Sequence, residues 1–187
     1  MDWLAVAIAC ICAFGAWCIL RVRREYLRQD RLSPPSVIGV WVLYVSHFLV
    51  TAVAAATSRW PMPLHDTIVV AGGILLLGLG AFLFLAGIIS FRSFRRMSGM
   101  DTSILVTTGA YRWSRNPQNV GWLLFLVGLA LLGRSALALL LAAVFWGSFR
   151  AYVPAEEKFL ERIFGAEYRD YRAWSHRYVG PPRRPAV

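Results

Sequence analysis

Residues 115–157 read RNPQNVGWLLFLVGLALLGRSALALLLAAVFWGSFRAYVPAEE. Polar residues stand at both ends, Arg115-Asn116-Pro117 first and Glu156-Glu157 last, while residues 118–149 between them carry a single charge, Arg134. The apolar runs 117–133 and 136–153 are separated by Gly133-Arg134-Ser135. One long tilted helix would hold that Gly-Arg-Ser segment at mid-membrane depth, where a charge is costly. The pattern therefore predicts a tight helical hairpin. A hairpin returns both polar clusters to one surface, so an arginine and two carboxylates face each other at a membrane boundary. Such a place can hold a charged, water-soluble cofactor against a lipid-soluble substrate.

The rest of the chain agrees with a membrane. It is 58% hydrophobic with a mean hydropathy of +0.54, more apolar surface than a soluble domain of this size needs. Stretches 3–20, 36–57 and 67–89 are apolar, and at about 1.5 Å per residue each is long enough for a ~30 Å hydrocarbon core. The expectation is an all-α integral membrane protein with about five transmembrane helices, including the carboxy-terminal hairpin. It forms a single membrane domain over 1–187. Three spans occupy 1–89, and the core in 90–187 comprises the hairpin 117–153 and a tail, 154–187, of amphipathic helices.

Charge orients the fold. Of 20 basic residues, 18 fall in 21–31, 90–118 and from 150 onward, leaving Arg59 and Arg134. The positive-inside rule makes the basic side cytoplasmic, with the amino terminus outside and the carboxy terminus inside. The net charge of +10 then reads as a collar near anionic headgroups, not as nucleic-acid binding. Asp2 precedes the first apolar run and arginines follow it, the reverse of a signal peptide. That run reads as a retained span.

Cys10, Cys12 and Cys18 all lie in the first span and read as small apolar fillers, with no disulfide framework. His47, His65 and His176 lack metal-ligand spacing, so no metal site is expected. His47, with Tyr44 nearby, stands mid-span, where ionisable side chains face a partner or a cavity. Two readings stay open for it: a neutral histidine bonded between helices, or a substrate-cavity residue. Gly72, Gly73, Gly78 and Gly80 have no strand before them, so a phosphate loop fails and close helix packing in lipid is expected.

Taken singly, the residues of both clusters have bland explanations. Asn116 before Pro117 is a good helix start. Arg115 can be one more collar arginine, and Gly109 can simply make a turn. Pro154 followed by acidic residues also resembles a helix start. From there Phe159, Leu160, Ile163 and Phe164 form an apolar stripe, Gly165 interrupts it, and Tyr168, Tyr171 and Trp174 share one face of an interfacial tail.

The combination is more specific. Val106-Thr107-Thr108-Gly109-Ala110-Tyr111-Arg112, then Arg115-Asn116-Pro117, a short apolar hairpin, and Glu156-Glu157-Lys158-Phe159-Leu160 with Phe164-Gly165, Tyr168 and Tyr171 resemble the isoprenylcysteine carboxyl methyltransferase family and its phospholipid methyltransferase relatives. The match covers about 90–180, and the first two spans are generic. Asn116 stands where eukaryotic members typically carry His, and Asn119 where they carry an aromatic residue, which weakens any transfer of substrate contacts.

The resemblance implies S-adenosylmethionine as cofactor and methyl transfer to a lipophilic acceptor, either an isoprenyl-cysteine-like carboxylate, a small lipid or a hydrophobic thiol. It implies catalytic roles for Arg115 and Glu157 and a cofactor site of Leu105, Val106, Gly109, Tyr111, Arg115, Asn116, Glu156 and Glu157. The chemistry suits that molecule. A glutamate, with Glu157 favoured, can hold its ammonium, Arg115 its carboxylate, and Tyr111 or Trp113 its sulfonium. Two other classes stay open: a sterol-reductase-like membrane reductase using NADPH, and a non-catalytic membrane subunit or carrier. Arginine outnumbers lysine 19 to 1, which points to a GC-rich bacterial genome and so to the bacterial inner membrane.

Overall fold

The computed structural model describes residues 3–183, so Asp2, Arg184 and the outer limits of the 1–187 domain lie outside the described residues. Helix α1, Trp3–Arg28, runs past its apolar stretch and carries Arg21, Arg23, Arg24 and Arg28 on its last two turns. Pro34 and Pro35 open α2, Pro34–Ala56, where a missing N–H costs nothing. The turn between the two is tied by Glu25, a buried carboxylate that accepts from Ser33 N (2.9 Å), Ser33 Oγ (2.7 Å) and Ser36 Oγ (2.6 Å). A π-helical turn, Ile68–Gly72, feeds directly into α3, Gly73–Phe91. Helix α4, Phe94–Met97, is a single short turn.

The predicted hairpin is present as α5, Pro117–Leu132, and α6, Ala136–Phe164. Its tip is built by close approach. A Cβ on Gly133 would lie 2.3 Å from Ala55 O, so the chain end of α2 occupies that space. Ser135 Oγ donates to Arg59 O (2.7 Å) and accepts from Ala138 N (3.1 Å), which caps α6. Met62 N donates to Arg134 O (2.8 Å). The tip and the 57–66 connection therefore share one end of the molecule. Beneath them Leu4, Ala54, Ala55, Ala130, Leu137, Ala138 and Leu141 form a compact apolar cluster. Among the described residues four helices are long and apolar enough to cross a membrane, and α5, at 16 residues, is shorter.

Helices α3 and α5 pack backbone to backbone. A Cβ on Gly80 would lie 2.4 Å from Phe125 N, one on Gly121 2.5 Å from Phe84 N, and one on Gly128 2.6 Å from Leu77 N. Gly73, Gly80, Gly121 and Gly128 thus make the seam, as small residues do between helices in lipid. Gly72 is looser, with Leu131 Cδ1 of α5 3.8 Å from the place of a Cβ, and the expectation fails only for Gly78, which has no atom within 4 Å.

Two further expectations are corrected. Pro154 does not start a helix, because α6 runs through it. Buried Val153, Ala155 and Phe159 on either side hold the helix, against the ~3 kcal/mol that a proline costs in a helix interior. The tail helix α7, Ala166–Trp174, begins at Gly165, whose φ of +55 provides the break. Its tyrosine face does not lie on the membrane surface. Tyr168 and Tyr171 are buried against Tyr111 and packed by Leu105, Val106 and Phe164, and Tyr171 Oη donates to Tyr111 O at 2.8 Å.

Candidate active site

The hairpin brings the two polar clusters into contact. Arg115 Nη2 and Nε donate to Glu157 Oε1 at 2.8 and 3.3 Å, and both side chains are over nine-tenths buried. Glu157 has a second guanidinium. Arg177 Nε donates to Oε1 at 3.0 Å and its Nη2 to Oε2 at 2.5 Å. Hydrogen bonding to Glu157 holds the Arg177 guanidinium above its ordinary value. The remaining donors of Arg115 take backbone: Nη1 donates to Ser175 O at 2.7 Å, and its main-chain N–H to His176 O at 2.8 Å. Asn116 is the first residue before α5, yet its side chain does not cap the helix; Nδ2 donates to Arg177 O at 3.0 Å. Gly180 N closes the loop on Trp113 O at 3.0 Å. Residues 175–180 thus form a strap over the Arg115 loop. Burial pushes the Tyr168 and Tyr171 phenols beneath it above their ordinary range.

A cavity of about 470 Å³ opens beside this ion cluster and runs down between α1, α2, α5 and α6. Every residue expected at the site lines it except Gly109 and Trp113, including Tyr44 and His47 in the apolar part. Gly109 turns at φ +63 against the end of α3, with Ser90 Oγ 2.7 Å from the place of a Cβ, and borders a separate smaller hollow together with Trp113. Both are therefore removed from the main cavity.

The paired glutamates differ in role because they point about 100° apart on α6. Glu157 is neutralised twice. Glu156 lines the cavity together with Tyr152 and Tyr26, and among the described residues no arginine or lysine pairs with it. A carboxylate on the cavity wall, with Tyr26, Tyr44, Trp41 and Tyr152 lining the same cavity, can take a cation through charge and aromatic faces together.

Sequence reading missed three contributors. Tyr152 lies one helical turn before Glu156, a spacing hidden by reading a helix start at Pro154. Arg177 was indistinguishable from the other collar arginines. Tyr26 comes from the first span, where nothing marked it. Asn119 gains a role: its Oδ1 accepts from Tyr44 Oη at 2.5 Å. His47 Nε2 lies 3.1 Å from Leu141 O, between α2 and α6, and the residue also lines the cavity. Among the described residues four buried polar atoms have no protein partner, His47 Nδ1, Ser98 Oγ, Gln118 Nε2 and Trp122 Nε1, and all four belong to cavity-lining residues. Buried polar groups are normally paired, so these atoms have hydrogen-bonding capacity to spare.

The model of the Phospholipid methyltransferase family matches residues 68–167, more than half of the chain. The chain belongs to this family. Similar proteins include the protein-S-isoprenylcysteine O-methyltransferase of Mus musculus, 31% identical over 163 residues that make up 79% of this chain and 57% of that protein. Protein-S-isoprenylcysteine O-methyltransferase A of Arabidopsis thaliana is 33% identical over 104 residues, 53% of each chain. The Saccharomyces cerevisiae protein of the same name is 39% identical over 70 residues, 37% of this chain and 29% of that protein. The chain thus spans little more than half the length of the mouse relative. No solved structure matches it. The family match begins at the third span and ends in α7. It contains Arg115, Glu156 and Glu157, while Tyr26, Tyr44 and His47 come from the helices before it.

Proposed function

We propose that this chain transfers a methyl group from S-adenosylmethionine to a lipophilic acceptor at the membrane boundary, the isoprenyl-cysteine-like carboxylate of its relatives' names being the first candidate. The observation that carries the reading is Glu156, a carboxylate without a basic partner on the wall of a cavity that continues into the apolar bundle. The residues present fit the cofactor: one uncompensated acid, aromatic faces beside it, and unpaired buried donors on Gln118 and Trp122.

When bound, S-adenosylmethionine supplies a methyl group activated by its sulfonium. Glu156 would hold the ammonium, and Tyr44, Trp41 and Tyr152 would lie against positive charge. Leu105, Val106 and Tyr111 offer a flat apolar wall for adenine. Arg115 is already engaged by Glu157 and the strap, so its role is to fix the loop that carries these residues. The α1, α2 and α6 side chains exclude water and align acceptor and methyl group, from which much of the rate would come. A carboxylate or thiolate acceptor needs no general base. An amine or hydroxyl would, and His47 is a poor candidate. It bonds to Leu141, 15 residues along α6 from Glu156, about 22 Å at 1.5 Å per residue.

The basic end, with the tail and strap, would face the cytoplasm of a bacterial inner membrane, and the Arg134 tip the outside. The test is transfer of labelled methyl from S-adenosylmethionine by purified protein in bilayers. Label in a lipid-extractable product is expected with an N-acetyl-S-farnesyl-cysteine acceptor or a membrane-lipid extract. No transfer to either, together with thermal stabilisation by NADPH and not by S-adenosylhomocysteine, would overturn the reading in favour of a reductase.

A further inference from the structure

Three helices line the cavity with regular stripes that stop at one level. On α2 the stripe is Tyr44, His47, Val50; on α6 it ends at Phe145 and Leu141; on α1 it ends at Ile11 and Ile8. The next residues along those helices, Ala54, Leu137, Ala138 and Leu4, do not line the cavity. They form the apolar cluster under the hairpin tip, and Ile8 and Val50 pack directly against it. The cavity therefore has a floor, and the floor is the core of the far end.

That floor is braced. His47 Nε2 meets Leu141 O at 3.1 Å and ties α2 to α6 at floor level. A carbonyl accepts only, so Nε2 carries a proton in this contact. Ala54, Ala130 and Ala138 have no exposed surface, so the cluster has no slack beneath Leu141. Interiors at this density resist extra groups.

Resting on the methyltransferase reading above, we infer that Ile8, Val50 and Leu141 set the length of the acceptor's apolar chain. The polar end of the acceptor lies near Tyr152 and Glu156, and its chain runs down the channel until it meets these three residues. From Tyr152 to Leu141 is 11 residues of α6 and from Glu156 is 15, about 16 and 22 Å at 1.5 Å rise per residue. A zigzag of 1.52 Å bonds advances about 1.3 Å per carbon, so the channel accepts a chain of roughly 13 to 17 carbons. The ligand class is thus a lipid of medium length with one extended tail, its polar end at the basic surface.

The test uses N-acetyl-S-alkyl-cysteines with straight chains of 8 to 20 carbons and a diazirine on the last carbon, with the full chain in bilayers. Photolabelling followed by peptide mapping should place label on Ile8, Val50 or Leu141 at about 14 to 16 carbons, and nearer Tyr44 and Trp122 at 8 to 10. Val50→Phe should move the best-labelled length down by two or more carbons, and Leu141→Ala should move it up. Label spread over lipid-facing α3 residues such as Leu79 and Ile89 at every length would overturn the inference, as would a length optimum unmoved in both variants. The wild-type label map keeps the test decisive if either variant fails to fold. Binding of S-adenosylhomocysteine, measured in parallel, separates the two claims. Normal cofactor binding with no length dependence defeats the floor alone. Absent cofactor binding defeats the methyltransferase reading, while the label map still reports on the channel.

Discussion

The two ends of the bundle are closed in different ways. At the tip end, Arg134 pairs with Asp66 and donates to Leu64 O at 3.2 Å, Ser135 binds Arg59 O, and alanines pack solidly below. The Arg134–Asp66 pair there is at the surface, with the apolar cluster behind it. At the basic end, Arg115 and Glu157 are buried, a strap is drawn over them, and a cavity opens at their side. Both ends spend polar groups on joining separate segments. Only the basic end spends them around a space, and there one carboxylate is left over. A seal needs only satisfied groups, whereas a site needs one group left for something else.

Four substitutions probe this contrast, in descending order of effect. Arg115→Ala leaves Glu157 buried with a single, half-exposed partner. Removing one member of a buried pair costs about 3–5 kcal/mol, so the variant should lose most of its resistance to thermal unfolding in detergent. A near-wild-type melting temperature would mean that the basic end is not held by this cluster. Gly133→Ala drives a methyl group into Ala55 O, 2.3 Å away. Overpacking costs about 1–3 kcal/mol, and the loss should be seen as early unfolding with S-adenosylhomocysteine affinity intact in the surviving fraction. Arg177→Ala removes a guanidinium that is 43% exposed. Solvent screening limits the cost to about 1 kcal/mol, but the strap should loosen, read as faster amide exchange at 175–180. Arg134→Ala should change the melting temperature least, within about 0.5 kcal/mol, because its pair with Asp66 is exposed on both sides. A larger loss from Arg134 than from Arg115 would invert the comparison.

Much of this contrast can be read in the sequence. Charge placement alone put Arg115 and the glutamates at one end and Arg134 at the other, since a lipid interior sorts charges to its surfaces. The hairpin followed from a single arginine in a long apolar run. The contents of the cavity were harder to read. Its walls combine tyrosines from α1, α2 and α6 that are distant in the chain, and Tyr26 is an ordinary interfacial aromatic until α6 is packed against it. The division between Glu156 and Glu157 was also hidden. It depends on the rotation of α6, and the proline at 154 suggested a new helix whose phase could not be set. Reading the helix through that proline puts Tyr152 under Glu156 and turns Glu157 toward Arg115. Sequence favoured Glu157 as the cofactor's partner, but the geometry gives it two arginines and leaves Glu156 unengaged by any.

The central claim is that Glu156 is the cation ligand of the cofactor. Isothermal titration of S-adenosylhomocysteine into Glu156→Gln tests it most directly, because glutamine keeps the size of the side chain and its capacity to hydrogen-bond while removing the carboxylate. A desolvated charge pair of this kind is worth about 2–5 kcal/mol, so the account predicts at least a 30-fold loss of affinity with the melting temperature of the free protein unchanged. Wild-type affinity in Glu156→Gln would contradict it.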